Sequence, residues 1–185
     1  IILAVVSFFI FRGGVKVIAS VVEELVPIMA AFYILFSLIV IIMNITKLPN
    51  VIYQIFVGAF NPQAIGGGVL GITVMKAVRF GVARGLFSNE AGMGSTPHAH
   101  AVAKVKHPCD QGLVAMMGVF IDTFIILNMT VLVVMLSGAL DYQVTGIALA
   151  QNAFSNTLGG FGPVFIAICL FFFAFSTIIG WYFFA

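Results

Sequence analysis

Sixteen residues near the middle of the chain concentrate its chemistry: Gly85-Leu86-Phe87-Ser88-Asn89-Glu90-Ala91-Gly92-Met93-Gly94-Ser95-Thr96-Pro97-His98-Ala99-His100. Glycines, hydroxyls, an amide, a carboxylate and a proline interrupt a segment whose flanks are long enough to cross a bilayer. Lipid cannot hydrogen-bond a backbone, so non-helical chain at membrane depth survives only when buried in protein or lining a polar cavity. Where two half-helices meet, free N–H groups and a positive dipole end face free carbonyls and a negative end. The first can bind a carboxylate and the second a cation, and Ala91, Gly92 and Gly94 would let a small solute reach the backbone. Interruptions of this kind are where membrane carriers hold their solutes. The plainer reading is a tight loop between two short helices, its glycines serving close packing.

Three further groups could take part. Glu90 is an acid at membrane depth, which makes it a functional candidate; its partner could be Arg84, six residues earlier, or the pair could simply pin the interruption. Asp122 lies beside Thr123 and near Asn128, a polar side on an apolar helix that fits an interhelical hydrogen bond more simply than ion binding. Ser176-Thr177 offers two hydroxyls deep in an apolar run, hard oxygens suited to a small cation in a dry site, or else an ordinary pair bonded back to its own helix. Trp181 follows Thr177 by one turn on the same face, so a hydroxyl and a large ring could line one cavity, unless the Trp is an interfacial anchor. His98 and His100 with Glu90 and His107 invite a metal reading. Two histidines two apart on a helix point to different sides, however, and the HExxH spacing is absent. Cys109 and Cys169 have no CxxC spacing, and Cys169, inside an apolar run, reads as a buried inert thiol.

The elements that must position these groups are membrane helices. Of 185 residues, 62% are apolar and 8% charged, with a mean hydropathy of +1.21, against about 25% charged in soluble domains. The bilayer is therefore the solvent, and a net charge of +2 without a basic block makes nucleic acid a poor partner. Ile1–Phe11 is about half a span, and Leu25–Thr46 runs 22 residues without a charge, with Glu23, Glu24 and Pro27 reading as a helix start. Residues 47–71, with Pro49, Asn50, Asn61, Pro62 and Gly66-Gly67-Gly68, suit a short interfacial helix and loop. Residues 72–103 form a broken span, 111–137 and 161–184 complete ones, and 138–160 a loop with a short helix around 146–155. Cations at Arg12, Lys16, Lys104 and Lys106 place those loops in the cytoplasm, leaving 47–71 and 138–160 outside. Both ends fall inside apolar runs, so the chain is expected to be one incomplete transmembrane domain, residues 1–185, of a longer protein.

The run Gly81-Val-Ala-Arg84-Gly-Leu-Phe-Ser-Asn-Glu90-Ala-Gly, continuing as Met-Gly-Ser95 and His98-Ala-His100, resembles the alanine or glycine:cation symporter family. Lys106-His-Pro, Gln111-Gly-Leu-Val-Ala-Met, Phe120-Ile-Asp122-Thr, Phe173-Ala-Phe-Ser-Thr-Ile-Ile-Gly-Trp181-Tyr, and Arg12-Gly-Gly followed by Glu24-Leu-Val-Pro27 strengthen it. These motifs are long, ordered and spread over the whole chain.

The resemblance implies an all-α, inverted-repeat fold of the leucine-transporter type, of which this chain would hold the end of core helix four through core helix eight. It implies symport of a small neutral amino acid, alanine or glycine, with sodium across the plasma membrane of a bacterium or archaeon. No enzyme activity or cofactor follows from it, sodium being the coupling ion. Sodium would take the Phe173 carbonyl and the Ser176 and Thr177 hydroxyls. The amino acid would meet Phe87, Ser88, Asn89 and Gly92 around the interruption, and Thr177 and Trp181 opposite. Arg84, Glu90 and Asp122 would be buried structural charges, and the missing helices of the parent would supply the remaining ligands. The competing readings are a membrane-embedded metal-dependent hydrolase built on His98, His100 and Glu90, and a passive channel subunit.

Overall fold

A computed structural model describes residues 2–60, 68–142 and 144–184. The elements among them are all helical: α1 (Ile2–Arg12), α2 (Gly14–Met43), α3 (Leu48–Phe60), α4 (Gly68–Ser88), α5 (Ser95–Ala101), α6 (Pro108–Phe120), α7 (Asn128–Leu136), α8 (Ile147–Leu158) and α9 (Phe161–Phe184). A π-helical segment, Ile121–Leu127, joins α6 to α7 without a break, and short 3-10 turns occupy Ile45–Lys47 and Ala139–Tyr142. Three stretches are long and apolar enough to cross a membrane: Lys16–Met43, Pro108–Leu136 and Phe161–Phe183. The interruption expected within 72–103 falls between α4 and α5.

Helix α2 departs from the sequence expectation. It starts at Gly14 instead of Leu25 and carries Pro27 in its interior. A proline removes one backbone hydrogen bond and crowds the carbonyl four residues before it, here that of Glu23. Ending the helix there would expose several backbone groups in place of one, and an apolar solvent makes that the worse outcome. Thirty residues rise about 45 Å, more than the roughly 30 Å of a hydrocarbon core. The helix closes at Asn44, whose side-chain amide donates to the Val40 carbonyl at 3.1 Å. Helix α3, with 13 residues, is too short to span, as expected for that loop; Asn61, Pro62, Gly66 and Gly67 lie outside the described residues.

The core forms where α9 packs on α8 and α2, and α7 on α2, α3 and α8. Tyr33, Val40, Val133, Leu136, Phe154, Phe165 and Cys169 fill it. A second cluster, Ile18, Phe175 and Ile179, fixes α9 against α1 and α2. Stacking of Phe11 on Tyr182 at 3.9 Å reinforces that seam. Only 11% of the most apolar window of Pro108–Leu136 is buried, so most of that helix is left for lipid or further helices.

The α8–α9 corner depends on close approach. Gly159 turns the chain at φ +60°, and a Cβ on Gly162 would sit 2.5 Å from the Ser155 nitrogen and 2.6 Å from the Phe154 carbonyl carbon. Both are main-chain atoms, and Phe154 is fully buried between Tyr33 and Phe165. Gly162→Ala in the full-length protein should therefore cost about 1–3 kcal/mol, the usual penalty of overpacking. Thermal unfolding in detergent checks this; an unchanged midpoint would show that the corner relaxes freely.

Candidate functional site

Helix α4 ends in a defined motif, not by fraying. The Ala91 N–H reaches back to the Leu86 carbonyl at 2.9 Å, and the Glu90 N–H to the Phe87 carbonyl at 3.1 Å. These nested bonds, with the intervening residue left-handed, are the Schellman C-cap. The left-handed position normally belongs to glycine; here it is Glu90, at φ +50°, the one non-glycine with positive φ among the described residues. A side chain there costs roughly 1–2 kcal/mol, so something must hold Glu90 in place.

What holds it is the start of the next helix. The Ser95 hydroxyl donates to Glu90 Oε2 at 2.5 Å, and the Thr96 hydroxyl lies 3.4 Å from the same oxygen. Ser95 is buried. The carboxylate thus staples the two half-helices across the interruption. Arg84 is exposed, and among the described residues it forms no ion pair with Glu90; the hydroxyls stand where that pairing was expected. Gly92 and Gly94, at φ +77° and +86°, meet nothing within 4 Å of a built Cβ. Their positive φ gives them a conformational role, and among the described residues no neighbour packs against them.

The other edge of the interruption is tied to the π segment. The Ser88 hydroxyl donates to Asp122 Oδ2 at 2.6 Å, and the Asn89 amide donates to Thr123 Oγ1 and to the Gly85 carbonyl, each at 3.1 Å. In a π turn the backbone carbonyls bond five residues on instead of four. Asn128 donates to two of them, Thr123 O at 3.0 Å and Phe124 O at 3.2 Å. Asp122 therefore makes an interhelical hydrogen bond. Phe87 lies exposed at the end of α4.

On α9 three oxygens converge. The Ser176 and Thr177 hydroxyls both donate to the Phe173 carbonyl, at 3.0 and 2.8 Å. Phe175 and Ile179 are buried against α1 and α2, and Thr177 lies about 200° around the helix from Phe175. Thr177 and Trp181 therefore project to the open side of α9. Helix α5 packs against α9, bringing the second half of the interrupted helix onto the helix that carries these oxygens.

The remaining polar groups are accounted for separately. His100 Nδ1 is 2.8 Å from the Gln111 amide nitrogen, and His107 Nδ1 accepts from the Cys109 N–H at the start of α6. Among the described residues no three His, Cys, Asp or Glu side chains are grouped to hold a metal ion. A groove of about 440 Å³ between α2 and α9 is lined by apolar side chains, including Phe32, Phe36, Phe165 and Phe172. With no polar group to orient a solute it is a poor binding site. Sequence reasoning missed Ser95 as the partner of Glu90, and also the bond between Tyr33 and Thr130, 2.7 Å between hydroxyl oxygens. Thr130 donates its only proton to the Ile126 carbonyl at 2.9 Å, so Tyr33 is the donor. The signal for Tyr33 and Thr130 was a hydroxyl inside an apolar segment, which requires a partner there; for Ser95, within the polar interruption, no such signal stands out.

Three helices long and apolar enough to cross a membrane, with an interrupted helix whose two ends are stapled and oxygens gathered on the helix its second half touches, fit a multi-pass membrane protein. The whole chain, residues 1–185, matches the sodium:alanine symporter family, and it belongs to that family. The amino-acid carrier protein AlsT of Bacillus subtilis is 46% identical over 188 residues, covering 99% of this chain and 38% of that protein. The probable sodium/glutamine symporter GlnT of the same organism is 42% identical over 184 residues, 99% of this chain and 37% of that protein. The sodium/alanine symporter AgcS of Methanococcus maripaludis is 40% identical over 184 residues, 97% of this chain and 40% of that protein. The chain thus spans about 40% of the length of the curated relatives it matches. The family is one of symporters and not of enzymes, which removes the hydrolase reading.

Proposed function

We propose that the full-length protein carries a small neutral amino acid, alanine or glycine, inward across the plasma membrane together with sodium, by alternating access in a leucine-transporter-like inverted repeat. The observation that carries this reading is the stapled interruption between α4 and α5, whose second half-helix packs against α9, the helix that carries the Phe173, Ser176 and Thr177 oxygens. The interruption supplies one wall for the amino acid through Phe87, Ser88, Asn89 and Gly92; Thr177 and Trp181 supply another. Asp122 serves the scaffold through its bond from Ser88, whereas Arg84, exposed and not paired with Glu90, is not the buried structural charge expected; helices beyond this chain complete both sites.

Sodium takes the three α9 oxygens. Both hydroxyls donate to the Phe173 carbonyl, so a cation there requires them to rotate and present lone pairs. Such rotation is a cheap motion about a single bond. Coupling needs no covalent chemistry: cation and amino acid each bind one state better than the other, and the linkage between sites is reciprocal. AgcS, named for alanine, supports alanine as the solute. The name of GlnT makes glutamine the competitor to test.

Uptake of labelled alanine by proteoliposomes of the full-length protein tests the reading. An inward sodium gradient should drive accumulation, replacement of sodium by choline should abolish it, and excess glycine should compete better than glutamine. Alanine uptake indifferent to the sodium gradient would exclude symport, and stronger competition by glutamine would reassign the solute.

A further inference from the structure

Ser88 and Asn89, the last helical residue of α4 and its C-cap, face two consecutive residues of the π segment, Asp122 and Thr123. A hydroxyl has one proton to give, and that of Ser88 is held by Asp122 at 2.6 Å. The Asn89 amide donates to Thr123 and Gly85, and the Thr123 hydroxyl lies 3.4 Å from Asn89 Oδ1. Both side chains are therefore engaged by helices, as are the N–H groups of Asn89, Glu90 and Ala91, so the main chain of the interruption is left to meet a solute through the Asn89 and Ala91 carbonyls and the Gly92 N–H. In a regular helix adjacent side chains do not face the same neighbour; here adjacent residues of the π segment reach adjacent residues of α4, and Asn128 holds two of the π turn's carbonyls.

We infer that Asp122 and Thr123 are positioning residues for the solute: acting through Ser88 and Asn89, they set where the main chain of the interruption stands and tie its movement to that of α6 and α7. This rests on the proposed symport and on the interruption as a solute wall. It assigns Ser88 and Asn89 a structural use of their side chains and a recognition use of their backbone. It also gives the π segment a purpose, since π turns recur at functional sites.

The test uses the full-length protein in proteoliposomes, with alanine KM and sodium half-saturation measured separately. Asp122→Ala should raise alanine KM about fivefold to tenfold with sodium half-saturation changed less than about twofold, a range set by typical coupling between contacting residues. Asp122→Asn, which can still accept from Ser88, should recover most of the loss. The double variant Ser88→Ala/Asp122→Ala should be no worse than the Asp122→Ala single variant, because one bond is lost in either case. Should Asp122→Ala fail to fold, Asp122→Asn paired with Ser88→Ala, and Thr123→Val paired with Asn89→Ala, form the same cycles. Additive effects, or a shift of sodium half-saturation as large as that of alanine KM, would overturn the positioning role. Wild-type protein without sodium-driven alanine uptake would instead overturn the symport reading, and this inference with it.

Discussion

Glu90→Gly in the full-length protein should lower the maximal rate of sodium-driven alanine uptake about tenfold or more, although glycine is the better residue for the local backbone. Glu90 sits at φ +50°, where removing the side chain relieves roughly 1–2 kcal/mol of strain. Against this stand a short bond from Ser95 and a longer one from Thr96, both to the carboxylate. Hydrogen bonds to charged groups contribute about 1.5–3 kcal/mol each, and Ser95 is buried, so losing its acceptor adds the cost of an unsatisfied hydroxyl. The staple outweighs the strain. Glu90→Gln, which keeps one carbonyl oxygen for Ser95, should retain more of the rate than Glu90→Gly. A glycine variant that transports at the wild-type rate would show that the carboxylate is dispensable and that the cap alone shapes the interruption.

Thr177→Val should raise the sodium concentration for half-maximal uptake about tenfold or more. Valine matches threonine in shape but replaces the hydroxyl with a methyl, removing one oxygen from the set formed with Ser176 and the Phe173 carbonyl. A lost polar contact to a charge of about 1.5–3 kcal/mol corresponds to that change, since about 1.4 kcal/mol is tenfold in affinity. Thr177→Ser restores the oxygen and should return the sodium requirement close to wild type. If valine leaves sodium dependence unchanged while alanine KM rises, Thr177 borders the amino acid only, and it leaves the sodium ligand set.

The two predictions differ in how legible their residues were. Ser176 and Thr177 stand out in Phe161–Phe184 because they are hydroxyls in an otherwise apolar helix, and the carbonyl three and four residues before them follows from helical geometry. Glu90 was visible as an acid at membrane depth, yet its partner was not. Arg84 is six residues away along the chain, but it lies on α4, before the cap. The Schellman turn redirects the chain, so the carboxylate meets Ser95 and Thr96 beyond the interruption. Pro27 misled in the opposite direction. By soluble-protein rules it marks a helix start, whereas it lies inside α2 because apolar surroundings penalise a broken helix more than one missing bond.

By itself, the sequence determined that this chain is built of membrane helices, where its long apolar helices lie, and that a polar segment separates two helices around residues 89–94. Those properties follow from local composition and from the rule that lipid satisfies no backbone group. Only the tertiary structure decided which polar groups meet: Ser95 with Glu90, Ser88 with Asp122, Asn89 with Thr123, Tyr33 with Thr130. Three of these pairs join segments 34 to 97 residues apart in sequence. Their matching depends on how helices rotate and shift against each other. In a membrane those choices are set by van der Waals fit and by the need of each buried hydroxyl or carboxylate for a partner, neither of which is written in the periodicity of one helix.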